Sequence, residues 1–254
     1  MPLIELRSIV KRFGRQLVLN QLNLHVDEGE CLVIVGASGS GKSVILKHIV
    51  GLLEPDEGEV WFDGNRTDAL SERDWVPVRT QFGFLFQMGA LFDSMSVEEN
   101  IAFPMVEHSK LSLAEINTRV DHWLGLVGLP EVRKKMPGEL SGGQRKRVAL
   151  ARAIALEPRV ILYDEPTTGL DPIRADVINE LIVKLQRQLK VTSVVVTHDM
   201  QSAFKVATRI VMLSEGKLIF NGSAEEIQHT TDPAVRRFVL GEADELELAS
   251  INSL

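Results

Sequence analysis

Residues 2–26 alternate apolar and polar side chains in "LIELRSIV" and "LVLNQLNLHV", the period of half-buried strands, and predict a small antiparallel sheet that "GEVWFDG" (58–64) extends. Three other runs have apolar cores and read as strands buried on both faces: "CLVIVG" (31–36), "RVILYDE" (159–165) and "TSVVVTH" (192–198). "RIVMLSEGKLIFNG" (209–222) reads as a hairpin, and helical periodicity marks 42–52, 112–127, 142–156, 172–189 and 200–207. Strands alternating with helices predict an α/β domain with a parallel sheet. Residues 88 to about 155 carry helices without a strand, which predicts a helical subdomain inserted into that core. Residues 1–240 thus form a single domain. The tail 241–254, "GEADELELASINSL", holds four acidic residues and no basic one, a segment to be mobile or to dock on a partner.

Length and charge narrow the function. A chain of 254 residues can bury a substantial core without disulfides, and its formal net charge of -7 argues against general binding of nucleic acid. One cysteine, Cys31, supports neither a disulfide framework nor a multi-cysteine zinc site. The N-terminus carries charges where a secretory signal needs an apolar stretch, and no window reaches the length of a membrane span. The expectation is a soluble protein of a reducing compartment, with any membrane role coming through a partner.

Chemistry collects at the carboxyl ends of the three buried strands, where open α/β sheets bind ligands. The first strand runs into "GASGSGKS" (36–43), which matches the phosphate-binding loop pattern. Gly36, Gly39 and Gly41 let backbone N–H groups approach a polyphosphate, with Ser38 and Ser40 between them, and the next helix presents its positive end. Lys42 would reach the outer phosphates and the Ser43 hydroxyl would ligate Mg²⁺. The second strand ends in Asp164 and Glu165, paired acids that burial makes costly unless a metal or cation balances them. Asp164 is expected to hold the metal through water and Glu165 to orient or activate the attacking water. His198, at the third strand end, is expected to contact the terminal phosphate.

The stretch "PGELSGGQRKRVALARAI" (137–154) poses a separate question. Ser141 and Gln144 have capping-box spacing, yet a cap does not explain Gly142 and Gly143, since each glycine costs a helix roughly 1 kcal/mol against alanine. Bare peptide units at a helix start form an anion site. Arg145, Lys146 and Arg147 fan around the helix at about 100° per residue, so they form no basic stripe for nucleic acid.

The set "GASGSGKS", Gln87, "LSGGQ" (140–144), "VILYDE" (160–165), "GLD" (169–171) and His198, in that order, resembles the ATP-binding-cassette ATPases over nearly the whole chain. The resemblance implies a P-loop NTPase core of RecA-like type with ATP and Mg²⁺ as cofactors. It implies a head-to-tail homodimer sandwiching two ATP molecules, in which Ser141, Gly142, Gly143 and Gln144 clamp the γ-phosphate held by the partner. It further implies that Phe13 stacks on adenine beside Val18, that Gln87 touches metal and attacking water, and that Asp171 communicates across the dimer.

Within that family, "FQMGALFDSMSVEENIAFP" and "DPAVRRFVLGEAD" resemble the ATPases of Mla/Mce-type phospholipid transport systems, although polar amino-acid importers share much of the pattern. The implied place is the cytoplasmic face of a bacterial inner membrane, bound to integral permease subunits and to a lipid-binding Mce-type protein. The lysine-free segment 80–109 is the expected docking region, with Met88, Ala90, Leu91, Phe92, Met95 and Val97 as apolar floor and Asp93, Glu98 and Glu99 as rim. Cassette proteins of translation would bring two cassettes and a basic linker. Those of DNA repair would bring coiled coils or zinc cysteines, and neither set of features is present.

Overall fold

The computed structural model describes residues 2–243, so the acidic tail beyond 243 lies outside the described residues. The chain begins with β1 (Ile4–Phe13), β2 (Gln16–Val26), β3 (Cys31–Val35), α1 (Lys42–Ile49), β4 (Glu57–Phe62) and β5 (Asn65–Arg66), then α2 (Glu72–Arg79) and β6 (Phe82–Leu85). Helices α3 (Val97–His108), α4 (Leu113–Leu126) and α5 (Gly142–Ala153) follow with no strand between them. Alternation resumes with β7 (Val160–Asp164), α6 (Pro172–Leu189), β8 (Thr192–Thr197) and α7 (Met200–Val206). The hairpin β9 (Arg209–Ser214) and β10 (Lys217–Gly222) precedes α8 (Ala224–Gln228) and α9 (Pro233–Leu240).

The alternating N-terminal segments form an antiparallel sheet in the order β2-β1-β4-β5, with Ile4 opposite Val26 and Leu6 opposite both Leu24 and Val60. The three buried runs form the middle of the central sheet as β3, β8 and β7, in the order β10-β9-β3-β8-β7-β6, parallel from β9 to β6. Each central strand feeds two cores, because successive side chains leave opposite faces. Val33, Val35, Ile161, Tyr163 and Val195 pack with the helices α3 to α7. Leu32, Ile34, Leu162, Val194 and Val196 pack with α1 and the antiparallel sheet. The carboxyl ends of β3, β7 and β8 are therefore fixed from both sides. Among the described residues no helix is long and apolar enough to cross a membrane.

Several short elements are absent from the sequence-based prediction, β5, α8 and α9 among them, and two of these absences bear on the site and its surroundings. β6 is a parallel edge strand of four residues, pairing Phe82 with Val160 and Leu85 with Tyr163. The other is α2, a helix whose Pro77 and exposed charges hide its period, and only Trp75 of it is buried. Trp75 covers Gly51, where a Cβ would come within 2.2 Å of the indole.

The expected docking segment needs correction. Val97 is fully buried and Leu91 packs against the main core, so neither is free to form the floor of a cleft. Glu98 is held by Arg133 and Lys134, and Glu99 accepts from the backbone N–H and hydroxyl of Ser96 at 2.7 Å each, closing the cap of α3. These acids are engaged inside the chain. Met88 and Phe92 remain exposed.

Candidate nucleotide-binding site

Gly36 follows β3 at a point where the backbone passes under the Leu213 carbonyl; an added Cβ would lie 2.3 Å from that oxygen. Gly41, at φ 104, caps α1 and lies close under Val18. The Lys42 ammonium donates to the carbonyls of Gly36 (2.8 Å) and Ala37 (2.9 Å) and lies 3.8 Å from the Glu165 carboxylate. Burial lowers its pKa, while Glu165 and Asp164 pull the other way. An ammonium held by neutral loop carbonyls can exchange them for phosphate oxygens, which are stronger acceptors.

The Ser43 hydroxyl donates to Asp164 Oδ1 at 2.7 Å. Burial raises the Asp164 pKa, and the Ser43 hydrogen bond opposes it. A hydroxyl and a carboxylate in contact, with the Gln87 amide on the same cavity wall, are the hard oxygen donors that suit Mg²⁺, which keeps its other positions for water and phosphate. The Ser40 hydroxyl is buried without a hydrogen-bond partner among the described residues, as a loop built to meet a further acceptor would leave it.

Glu165 has a left-handed backbone, φ 49, uncommon for a residue with a side chain. Its carboxylate accepts from Thr168 Oγ1 at 3.0 Å and lies 2.9 Å from His198 Nδ1. Phe13, Val18, Ser38, Gly39, Gly41, Lys42, Ser43, Gln87, Glu165 and His198 line one cavity of about 640 Å³. Gly36 and Ser40 shape its loop from behind, and Asp164 stands behind Ser43. Phe13 is 46% exposed at its mouth, with the Lys11 ammonium 5.7 Å from the ring centre. It is no core aromatic.

Ser141, Gly142, Gly143 and Gln144 are not among the walls of that cavity. They open α5 through a capping box: Gln144 N–H donates to Ser141 Oγ (3.3 Å) and Ser141 N–H to Gln144 Oε1 (2.9 Å). The boxes of α3, α4 and α8 use Glu99, Glu115 and Glu226 at the same position. A neutral amide keeps the α5 terminus free of a negative charge, so its dipole stays available to an anion. Asp171 caps α6, accepting from Arg174 N–H at 3.0 Å. The basic residues after the cap serve the fold: Arg145 binds the Leu140 carbonyl, Arg147 that of Val127 and Arg152 that of Gly89.

The glycine loop and the ends of β7 and β8 thus share one cavity, and the capped start of α5 stands outside it. The sequence profile of the ABC transporter family matches residues 19–168. The chain belongs to the ABC transporter family. The cassette is 42% identical over 238 residues to the probable ribonucleotide transport ATP-binding protein mkl of Mycobacterium leprae, covering 94% of this chain and 69% of that one. It spans about two thirds of the length of the mycobacterial relatives. It is 42% identical to the intermembrane phospholipid transport system ATP-binding protein MlaF of Haemophilus influenzae, covering 95% of this chain and 92% of that one. A dimeric ATP-binding cassette bound to ADP and Pi superposes with a TM-score of 0.81 at 35% identity, covering 87% of this chain and 98% of that one. The cbiO1 subunit of a Clostridium perfringens ABC transporter complex gives 0.83 at 29% identity over 100% and 99%. The fold is that of the ABC ATPases, and the cassette is an ATPase.

Two groups at this site escaped the sequence reading. Thr168, which holds the Glu165 carboxylate, lies in a "PTTG" turn whose spacing is uninformative. Lys146 is buried, and its ammonium donates to the carbonyls of Pro166 (2.8 Å), Thr168 (2.7 Å) and Glu165 (3.3 Å).

Proposed function

We propose that this cassette works as a head-to-tail homodimer that hydrolyses ATP with Mg²⁺ and drives phospholipid transport through a permease at the cytoplasmic face of a bacterial inner membrane. The separation of the two anion sites carries the dimer: the phosphate loop, Gln87, Glu165 and His198 share a cavity from which Ser141–Gln144 are absent. A second chain, turned head to tail, supplies the missing wall.

In the closed site Phe13 stacks on adenine beside Val18, and Lys42 leaves the Gly36 and Ala37 carbonyls for the outer phosphates. Ser43 and Gln87, with Asp164 through water, would hold Mg²⁺, which would neutralise phosphate charge. Glu165 aligns water and takes its proton, with His198 turning from Glu165 toward the terminal phosphate. Ser141, Gly142, Gly143 and Gln144 of the other chain complete the clamp, and Asp171 links the two sites.

Residues 1–240 act as one ATPase domain, and 88–155 as its inserted helical subdomain. The permease surface is a second cavity of about 310 Å³ lined by Phe82, Phe84, Phe86, Phe92, Phe103 and Arg152. The phospholipid reading is supported by the MlaF relative, matched over 92% of its length. A lipid-binding Mce-type protein joins the assembly and nucleic acid does not.

Glu165→Gln tests the catalytic part. The amide keeps the shape and loses the base, so ATP binding persists, turnover falls by about a hundredfold or more, and a stable dimer accumulates on sizing columns with ATP. Turnover near the parent rate, or loss of ATP binding, contradicts the role of Glu165.

A further inference from the structure

The geometry points to Lys146 as a positioning residue that holds the Glu165 carboxylate in register for attack and ties it mechanically to the helix that begins with Ser141–Gln144. Lys146 lies in the second turn of α5, and its ammonium is enclosed, with the side chain 6% exposed. An ammonium has three N–H donors, and here all three find main-chain carbonyls of one tight turn, those of Glu165, Pro166 and Thr168. That turn is also closed by Thr168 N–H on the Glu165 carbonyl at 3.3 Å and by the Thr168 hydroxyl on the Glu165 carboxylate at 3.0 Å.

Glu165 itself is held at φ 49, a conformation that persists for a side-chain-bearing residue only where its surroundings impose it. Lys146 is the charged group bound to the main chain of that turn, while His198 and Lys42 meet the carboxylate itself. Burial lowers the lysine pKa to about 8 and the Glu165 charge opposes the shift. A lysine used only to fill space would be replaced at less desolvation cost by an apolar chain.

The consequence reaches across the proposed dimer, and it rests on the reading of Glu165 given above. The end of α5 grips the nucleotide of the other chain, and the same helix sets the aim of Glu165 toward its own nucleotide. Movement of α5 on closure is then felt directly at the opposite site.

The test is a mutant cycle on the full-length protein, reading kcat, KM for ATP and nucleotide affinity. Lys146→Met keeps length and bulk without donors; kcat is expected to fall about a hundredfold, the scale of a misplaced reacting group, with KM and ATP affinity within about twofold. Lys146→Gln retains two N–H donors and recovers a substantial part of the rate. If the methionine variant does not fold, the glutamine variant carries the cycle. Added to Glu165→Gln, either change gives no further loss, because the group being positioned is already gone. A further loss in that background equal to the loss in the parent, or a loss of ATP affinity matching the loss of rate, overturns the positioning role. Hydrolysis by Glu165→Gln alone at the parent rate instead overturns the reading of Glu165.

Discussion

Phe13 shows how much a single side chain can decide. It ends β1 in a sheet whose inward positions are buried, yet its ring is half exposed at the mouth of the main cavity. An apolar face kept in water at a cavity mouth has little to gain from the fold itself. Stacking of a base on an aromatic ring contributes ~1–3 kcal/mol and is indifferent to base identity. Phe13→Ala is therefore expected to weaken ATP and GTP binding together, by about tenfold to a hundredfold, in calorimetric titrations. Unchanged affinity for both would remove Phe13 from the site. The strand ends and the glycine loop were legible because spacing and residue type suffice to mark them. Lys146 was not, since a lysine between two arginines reads as solvated and its burial depends on where the 165–168 turn is packed.

At the scale of elements, long periodic segments were legible and short ones were not. β7 and β8 carry runs of branched and apolar residues, VILY and VVV, and are buried throughout, whereas β6 has four residues and is continuous in sequence with the apolar "FQMGALF". Its pairing with β7 is what brings Gln87 beside the phosphate loop. The apolar residues of 88–97 stand out in the same way, but local pattern does not say which of them face the core, as Val97 and Leu91 do. Phe92 faces outward, 5.0 Å from the Phe103 ring and 5.5 Å from the Arg152 guanidinium by ring centre. Phe92→Ala should leave ATP binding by the isolated chain nearly unchanged. In detergent extracts it should abolish association with the permease, and in reconstituted vesicles lipid movement. Normal assembly and lipid transport by this variant would place the permease elsewhere.

At the scale of the whole molecule, the proposed phosphate loop and the proposed clamp at the start of α5 are not brought to a single cavity by one chain. The loop after β3 and the start of α5 are each anchored by their own element, the first by the β3 and α1 cores and the second by a cap and by packing against α6. The proposed sandwich has a second copy supply the missing half. Cys31 is buried, with its thiol pushed up to about 12, so it stays silent toward oxidants and leaves the chain open to introduced cysteines. The most direct measurement places Ser38→Cys and Ser141→Cys together in the Glu165→Gln background and follows disulfide formation under mild oxidation with and without ATP and Mg²⁺. A covalent dimer that forms only with nucleotide is the expected result. A chain that stays monomeric with ATP bound, or crosslinks equally well without it, contradicts the head-to-tail sandwich.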